Sequence, residues 1–415
     1  MTWISRMLVG ALFIVSGLIK ANDTTGFAYK LDEYFTVFGT PWMSDFSVFL
    51  AGFICVMEIV LGVAVIFGIR MVPVSWLLLL MIIFFTFLTF YSAWFNKVTD
   101  CGCFGDALKL TPWQSFWKDI VLLFFTGILF LNRKKITPGD YKSDIINSVV
   151  AILLIAMFSM FVINWDFPIW FALITILLTA LLKKSFSSIQ DFLVIGISTI
   201  ASVVFTYICL AHLPLKDFRP YAIGKNINEG MAIPAGAPQD SIVMLFQYTK
   251  DGQKFEFAAD ALPEDLDEYT FVDRFDKVIR KGYIPPIHDF TITDESGADY
   301  TEEYLNEDKY SMMLVAYNLD LSNTDVQPSI NELSEKFDKA GIRFFGLTST
   351  PFTDTDKFRH EHQNTFPYYS CDATTLKTIV RSNPGLVLIK NGTVVMKWHY
   401  NDLPEFDAIS AFMNK

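Results

Sequence analysis

The sequence predicts a multi-pass α-helical membrane bundle of about seven spans, followed by a water-soluble α/β domain. Three observations carry that prediction. The 415 residues are 52% hydrophobic and 16% aromatic, with 40 Phe, more apolar surface than a soluble chain of this length usually carries. Charge is unevenly placed: 13 Lys/Arg and 12 Asp/Glu precede Leu213, while 20 and 32 follow it. Past residue 284, strand-like and helix-like stretches alternate. The net charge of −11 argues against nucleic acid, whose phosphates an acidic surface repels. No repeat or low-complexity tract is present.

A membrane-crossing helix needs about 20 mostly apolar residues. Seven segments meet or approach that length: Trp3–Ile19, Phe46–Gly68, Val72–Trp94, Trp113–Leu131, Ile145–Ile163, Pro168–Leu182 and Phe192–His212. The sixth is short, and the fourth contains Lys118 and Asp119. No small-residue cleavage site follows "SGLIKAND", so the first segment reads as a span and not a signal peptide. One set of loops holds Arg6, Arg70, Arg133, Lys134, Lys135, Lys142, Lys183 and Lys184; the opposite set holds Lys20, Lys30, Lys97, Lys109 and Lys118. The richer set belongs in the cytoplasm. This puts the N-terminus inside, and the loop "DCGCFGD" and everything after His212 outside.

That loop, residues 100–106, holds Cys101 and Cys103, two of five cysteines. Two cysteines one residue apart bridge only if the chain bends, and Gly102 supplies a permissive backbone. A small strained ring is of the labile, redox-active kind. Asp100 and Asp106 place negative charge beside the thiols and disfavour the thiolates unless Lys97 or Lys109 offsets them. Two other readings stay open here. A structural staple would add little by chain entropy in so short a loop. A metal site lacks third and fourth ligands at the usual spacing.

"RMLVGALFIVSGLIK", Glu58, and "DCGCFGD" followed by "PWQSFWKDIVLL" resemble the MauE/DoxX group of bacterial four-helix membrane proteins over about residues 1–135. The resemblance implies a role in periplasmic disulfide formation or in maturation of a partner protein, in the bacterial inner membrane. It also brings a quinone into view as electron carrier, although no cofactor motif is legible in the chain itself. Residues 136–212 then supply three further spans that carry no interpretable motif.

Glu58 lies near the middle of the second span, where an unpaired charge is costly. Cys55 and Gly62 share its helix face. A carboxyl there would either shuttle protons to a thiol or quinone, or serve as a packing ion pair. Lys118 is the expected partner, with Lys20 second. Cys55 and Cys209 read as small buried hydrophobes.

Residues 213–283 form an extracytoplasmic linker with a β-hairpin turning at Asp251-Gly252, followed by a helical stretch near Tyr269–Arg280. From residue 284 the order is strand "SMMLVAYNL", helix to Gly341, strand "IRFFGLTS", polar helix, short strand "FPYYS", and helix "ATTLKTIV". A hairpin turning at Asn391-Gly392 and a final helix near Pro404 complete it. This order resembles the thioredoxin-like fold of the TlpA/peroxiredoxin type over about residues 284–415. "PPIHDFTITDESG" is similar to its opening segment, and "SNPGLVLIKNGTVV" to the loop carrying the family's cis-proline, here Pro384. The family's CxxC is missing, with "NLDLSNTD" in its place. Ordinary thioredoxin chemistry is thereby excluded for this domain. Cys371, at a strand's carboxyl end, is either a secondary thiol near the vestigial site or an inert packing cysteine.

Taken together, the expected site is Cys101 and Cys103 as redox pair, with Glu58 and Lys118 as a buried polar site. The thioredoxin-like domain would offer Asn318, Asp320 and Pro384 as a groove for an envelope client protein or redox partner. The alternative is a non-enzymatic membrane scaffold or assembly factor that binds an envelope protein through that groove. Small-molecule transport has only Glu58 in its favour.

Overall fold

A computed structural model describes residues 1–98, 104–185, 189–280 and 282–414. Cys101 and Cys103 lie outside the described residues. The first half is helical: α1 Thr2–Asn22, α2 Thr24–Val37, α3 Ser47–Phe67, α4 Met71–Phe95, α5 Pro112–Asn132, α6 Tyr141–Phe158, α7 Phe167–Ala172, α8 Leu178–Ser185 and α9 Gln190–Ala211. Among the described residues, six helices are long and apolar enough to cross a membrane. The expected sixth crossing is Phe167–Lys183, a shorter apolar helix that passes through a π-helical turn at Leu173–Leu177 between α7 and α8. At about 1.5 Å per residue it reaches roughly 26 Å, a little under the bilayer core.

Local signals explain the ends. Pro112 opens α5 behind a capping box in which Thr111 and Gln114 bond each other's backbone, satisfying amides that no helical turn can reach. Gly68 ends α3 with φ 67°, a left-handed cap that suits glycine. Helix α1 packs closely on α3 because Gly17 faces Ile59 and the Cys55 carbonyl, where a Cβ would clash. Small residues permit this approach in a bilayer, where no hydrophobic force drives helices together. The sequence reading missed α2, a short amphipathic helix between the first two spans.

The basic ends gather at one face. Arg6 donates to the Val65 and Ile66 carbonyls, Arg70 pairs with Asp191 at 3.0 Å, and Lys183 pairs with Asp144 at 2.6 Å. The soluble half sits at the opposite face, beyond the ends of α1 and α9.

That half adds the short helices α10 Ile227–Met231 and α11 Thr301–Leu305, with α12 Gln327–Lys339, α13 Phe352–His362, α14 Ala373–Ile379 and α15 Phe406–Met413. Its strands are β1 Ser241–Lys250, β2 Gln253–Ala258, β3 Thr270–Arg280, β4 Tyr310–Ala316, β5 Arg343–Thr348, β6 Tyr368–Ser370, β7 Gly385–Lys390 and β8 Thr393–His399. A five-stranded sheet runs β6-β5-β4-β7-β8, and a separate three-stranded sheet runs β2-β1-β3. In the larger sheet β4, β5 and β6 are parallel while β7 and β8 are antiparallel. Helices cover both of its faces, as an α/β sandwich requires.

Two expectations need correction here. The stretch expected as helix near Tyr269–Arg280 is strand β3, paired antiparallel with β1 from Ser241 to Thr249. Its mixed apolar and charged residues suit either state, and pairing decides. The linker expected over 213–283 is divided: Tyr221 and Ile227 join the core formed with Phe290 and Val387. There Gly224 N–H donates to Val394 and Val394 N–H to Lys225, so this strap runs along β8.

Candidate functional site

Two neighbouring features lie toward the end of the bundle that meets the soluble half. The first is a cavity of about 380 Å³ among α1, α3, α4 and α5. Its wall is mainly apolar, including Leu12, Phe85, Phe104 and Leu122, with Lys20, Glu58, Lys118 and Asp119 reaching into it. Lys20 Nζ donates to both Glu58 oxygens at 2.7 and 2.9 Å and to Ser16 Oγ at 2.7 Å. Both charged side chains are almost fully buried. The partner expected first, Lys118, instead bonds Asp119 at 2.5 Å. The reason is helix rotation: Glu58 faces α1, where Gly17 brings the backbones together, and Lys20 sits one turn beyond Gly17. Asp119 also accepts from Thr89 Oγ1 at 3.0 Å. The sequence reading noted Asp119 only as a polar flaw in a span, yet it lines the cavity.

Phe104, the residue after Cys103 in the chain, is buried and lines the cavity. Lys118 Nζ stands 5.1 Å from its ring centre, and the Phe158 ring packs on it at 5.7 Å.

The second feature is the junction with the soluble domain. Arg381, two residues before Asn383, reaches across to the end of α1. Its Nε and Nη2 bond the Asp23 carboxylate at 2.8 and 2.9 Å, and Nη2 stands 3.8 Å from Asp106. Asp23 also caps α2 by accepting from Gly26 N–H at 2.9 Å. Burial alone would raise the Asp23 pKa, but Arg381 and Arg219 hold it down at about 2. Burial raises the Asp106 pKa against the pull of Arg381. Tyr29 of α2 meets Tyr317 edge-on at 6.3 Å, with Lys377 over both rings. His212 pairs with Asp402 at 2.7 Å, and Asn22 exchanges hydrogen bonds with the Lys216 backbone. Behind the junction Asp217 bonds Arg219 and Lys397; burial and the nearby Arg219 push the Lys397 pKa down to about 8.

The loop after β4 and the loop before β7 do meet, as the thioredoxin resemblance implies. The Asn383–Pro384 peptide bond is cis. Asn383 Nδ2 donates to the Asn318 carbonyl at 2.8 Å, and Asn323 N–H donates to the Asn383 carbonyl at 2.9 Å. Beside them lies an open groove of about 400 Å³ between the two domains, lined by Tyr29, Leu210, Tyr317, Ser322, Asn383 and His399 among others. Ser322 Oγ and Asn383 Oδ1 are buried there without a hydrogen-bond partner among the described residues. Asn318 and Pro384 thus brace the groove from behind, while Asp320 is exposed and does not line it. Cys371 packs in the core with Tyr221 and Leu376, and burial pushes its thiol pKa up to about 11. A thiol buried in this way is a poor nucleophile, which supports the packing reading.

Residues 1–132 match the family model described as methylamine utilisation protein MauE. Residues 242–281, which cover the three-stranded sheet, match a domain of unknown function (DUF8463). Among curated proteins the chain is 28% identical over 170 residues to Protein TlpB of Flavobacterium psychrophilum, covering 38% of this chain and 43% of that protein. The chain therefore spans about two fifths of the length of that relative. No solved structure matches. The MauE domain and its membrane-length helices make this a membrane protein. Behind the MauE domain comes a thioredoxin-like domain joined to it through Arg381.

Proposed function

We propose that the protein supports thiol–disulfide exchange, or the maturation of a partner protein by that exchange, at the outer face of a bacterial inner membrane. Cys101 and Cys103 are the redox pair. The thioredoxin-like domain, which lacks a CxxC, holds an envelope client in the groove beside Asn383 and Pro384. One observation carries this reading: Arg381 docks the cis-proline edge of that domain on Asp23 and Asp106, and Asp106 lies three residues beyond Cys103. Asp106, three residues past Cys103 in the sequence, thus belongs to the same junction as the groove, which supports a client held there meeting the thiols at high effective concentration.

When the Cys101–Cys103 disulfide forms, two electrons and two protons leave the pair; when it is reduced, they return. A mixed disulfide with the client is the intermediate of either direction. A quinone in the bundle cavity is the carrier proposed for both electrons and protons, since becoming a quinol takes up two of each. The cavity suits a lipid-soluble ring: its wall is apolar, and its polar groups are few and convergent. Lys20, Glu58 and Asp119 would bond the ring oxygens and hold the protons. The basic end of the bundle, with Arg6, Arg70 and Lys183, favours the cytoplasm, which leaves the junction outside.

The test is a Cys103→Ser variant in cells. It is expected to hold a client through Cys101 as a mixed disulfide on a non-reducing gel. Full activity of that variant, with no trapped species, overturns the redox assignment. A second reading, a non-enzymatic assembly factor, is favoured by the missing CxxC alone. It predicts that Cys101→Ser with Cys103→Ser restores function to a deletion strain while Asn383→Ala does not.

A further inference from the structure

Strands β2 and β3 are the two edges of the three-stranded sheet; β3 is the longer, 11 residues against 6, and every residue along it except Phe275 is exposed. Among the described residues, none of this sheet joins a hydrophobic core. One face carries a cluster of rings from Phe246, Tyr248, Phe255, Phe257, Tyr269 and Phe271. A three-stranded sheet with neither face packed is marginal by itself, and a long flat edge strand is a template for pairing.

The order of charges along that edge names its partner. β3 reads "TFVDRFDKVIR". Laid antiparallel on a second copy of itself and centred on Phe275, Arg274 stands opposite Asp276 and Asp273 opposite Lys277. Phe275 meets its own image. Opposite charges across a strand pair stabilise and like charges destabilise. Residues directly opposite in an antiparallel pair turn their N–H and C=O groups to the same edge, so a strand pairing with its own copy slips only by an even number of residues. A slip of two sets Asp276 against itself or Arg274 against itself, and a slip of four sets Lys277 against itself or Asp273 against itself. Strand geometry and charge together favour the register centred on Phe275, which is two-fold symmetric, as an isologous dimer requires. Register shifts against β1 near both ends of β3 confine regular pairing to the Asp273–Val278 stretch between them.

We infer that two copies of this protein associate through β3, making one continuous sheet of β2-β1-β3 from each copy. The two aromatic faces then lie side by side. Anchoring of both chains in one bilayer raises their effective concentration, so a short strand pair suffices. This inference is independent of the thiol chemistry.

The experiment uses the full-length protein in nanodiscs and in detergent, with mass measured by light scattering. The unmodified chain is expected to be dimeric. Arg274→Asp puts like charge at two symmetry-related places and is expected to weaken dimerisation about tenfold. Adding Asp276→Arg to that variant restores opposite charges and is expected to restore the dimer. In a Cys101→Ser, Cys103→Ser background, Phe275→Cys is expected to cross-link to itself with a short bis-maleimide. A monomer that gives no such cross-link shows that the edge charges only guard against pairing, and overturns the inference. A dimer indifferent to Arg274→Asp, or an edge captured by a different protein, overturns it as well.

Discussion

The bundle cavity and the domain junction are both built from buried ion pairs, yet they end differently. In the cavity, Lys20–Glu58 and Lys118–Asp119 face about 380 Å³ of mainly apolar space. At the junction, Arg381 and Asp23 are closed on each other, on Gly26 and on the Lys377 carbonyl, and the pocket beside them holds only about 70 Å³. Desolvating a charge is expensive, and only good geometry with further hydrogen bonds offsets it. The junction satisfies Arg381 and Asp23 with hydrogen bonds and so holds two domains in one arrangement. The cavity leaves room beside its charges, which is what a ligand site needs.

The sharpest way to break this contrast is at Arg381. Arg381→Ala strands the buried Asp23 carboxylate, and losing one partner of such a pair costs about 3–5 kcal/mol. Hydrogen exchange at residues 373–384 and in α2 is expected to rise strongly, while exchange in β4 and β7 stays low. Arg381→Lys is expected to recover only part, because a lysine does not bond both carboxylate oxygens in a fork. Unchanged exchange in the alanine variant would show that the junction does not depend on this pair.

At the cavity, filling and discharging separate ligand binding from folding. Leu122→Trp is expected to lower quinone-dependent oxidation of the dithiol about tenfold or more while leaving thermal stability nearly unchanged. Glu58→Gln is expected to lower the same rate and also to destabilise the bundle, because Lys20 is left buried without its countercharge. If both variants keep the full rate with a soluble benzoquinone as acceptor, the cavity is not the carrier site.

The smallest effect is at His399 in the groove. Burial pushes its pKa down to about 4, against the pull of Asp402 and with the help of His212, so the folded protein keeps the ring neutral. The unfolded chain takes up a proton below the ordinary value near 6.5. Stability is therefore expected to fall as pH drops from about 6.5 to 4. His399→Gln is expected to flatten thermal melts across that window. An unaltered slope would assign the pH dependence to another group.

What was legible in the sequence was local. Asp251-Gly252 and Asn391-Gly392 announce hairpins because both residues of each pair take positive φ, which their side chains tolerate. Pro384 stands out because its surroundings resemble a known loop. What lies far apart in the chain was not legible. Glu58 has Lys20 as partner because α1 rotates that face toward α3, and span counting alone made Lys118 look nearer. Asp23 and Arg381 are 358 residues apart, and each reads as an ordinary surface charge. Strand β3 shows the same limit, since its composition suits a helix until β1 is laid beside it.

The central claim is that Cys101 and Cys103 make and break a bond with each other. Alkylation trapping of Cys101 and Cys103 in growing cells tests it most directly. The account predicts a mixture of oxidised and reduced pairs that shifts toward the oxidised form when client synthesis stops or toward the reduced form when quinone is withheld. A pair locked in one state under all three conditions would contradict it.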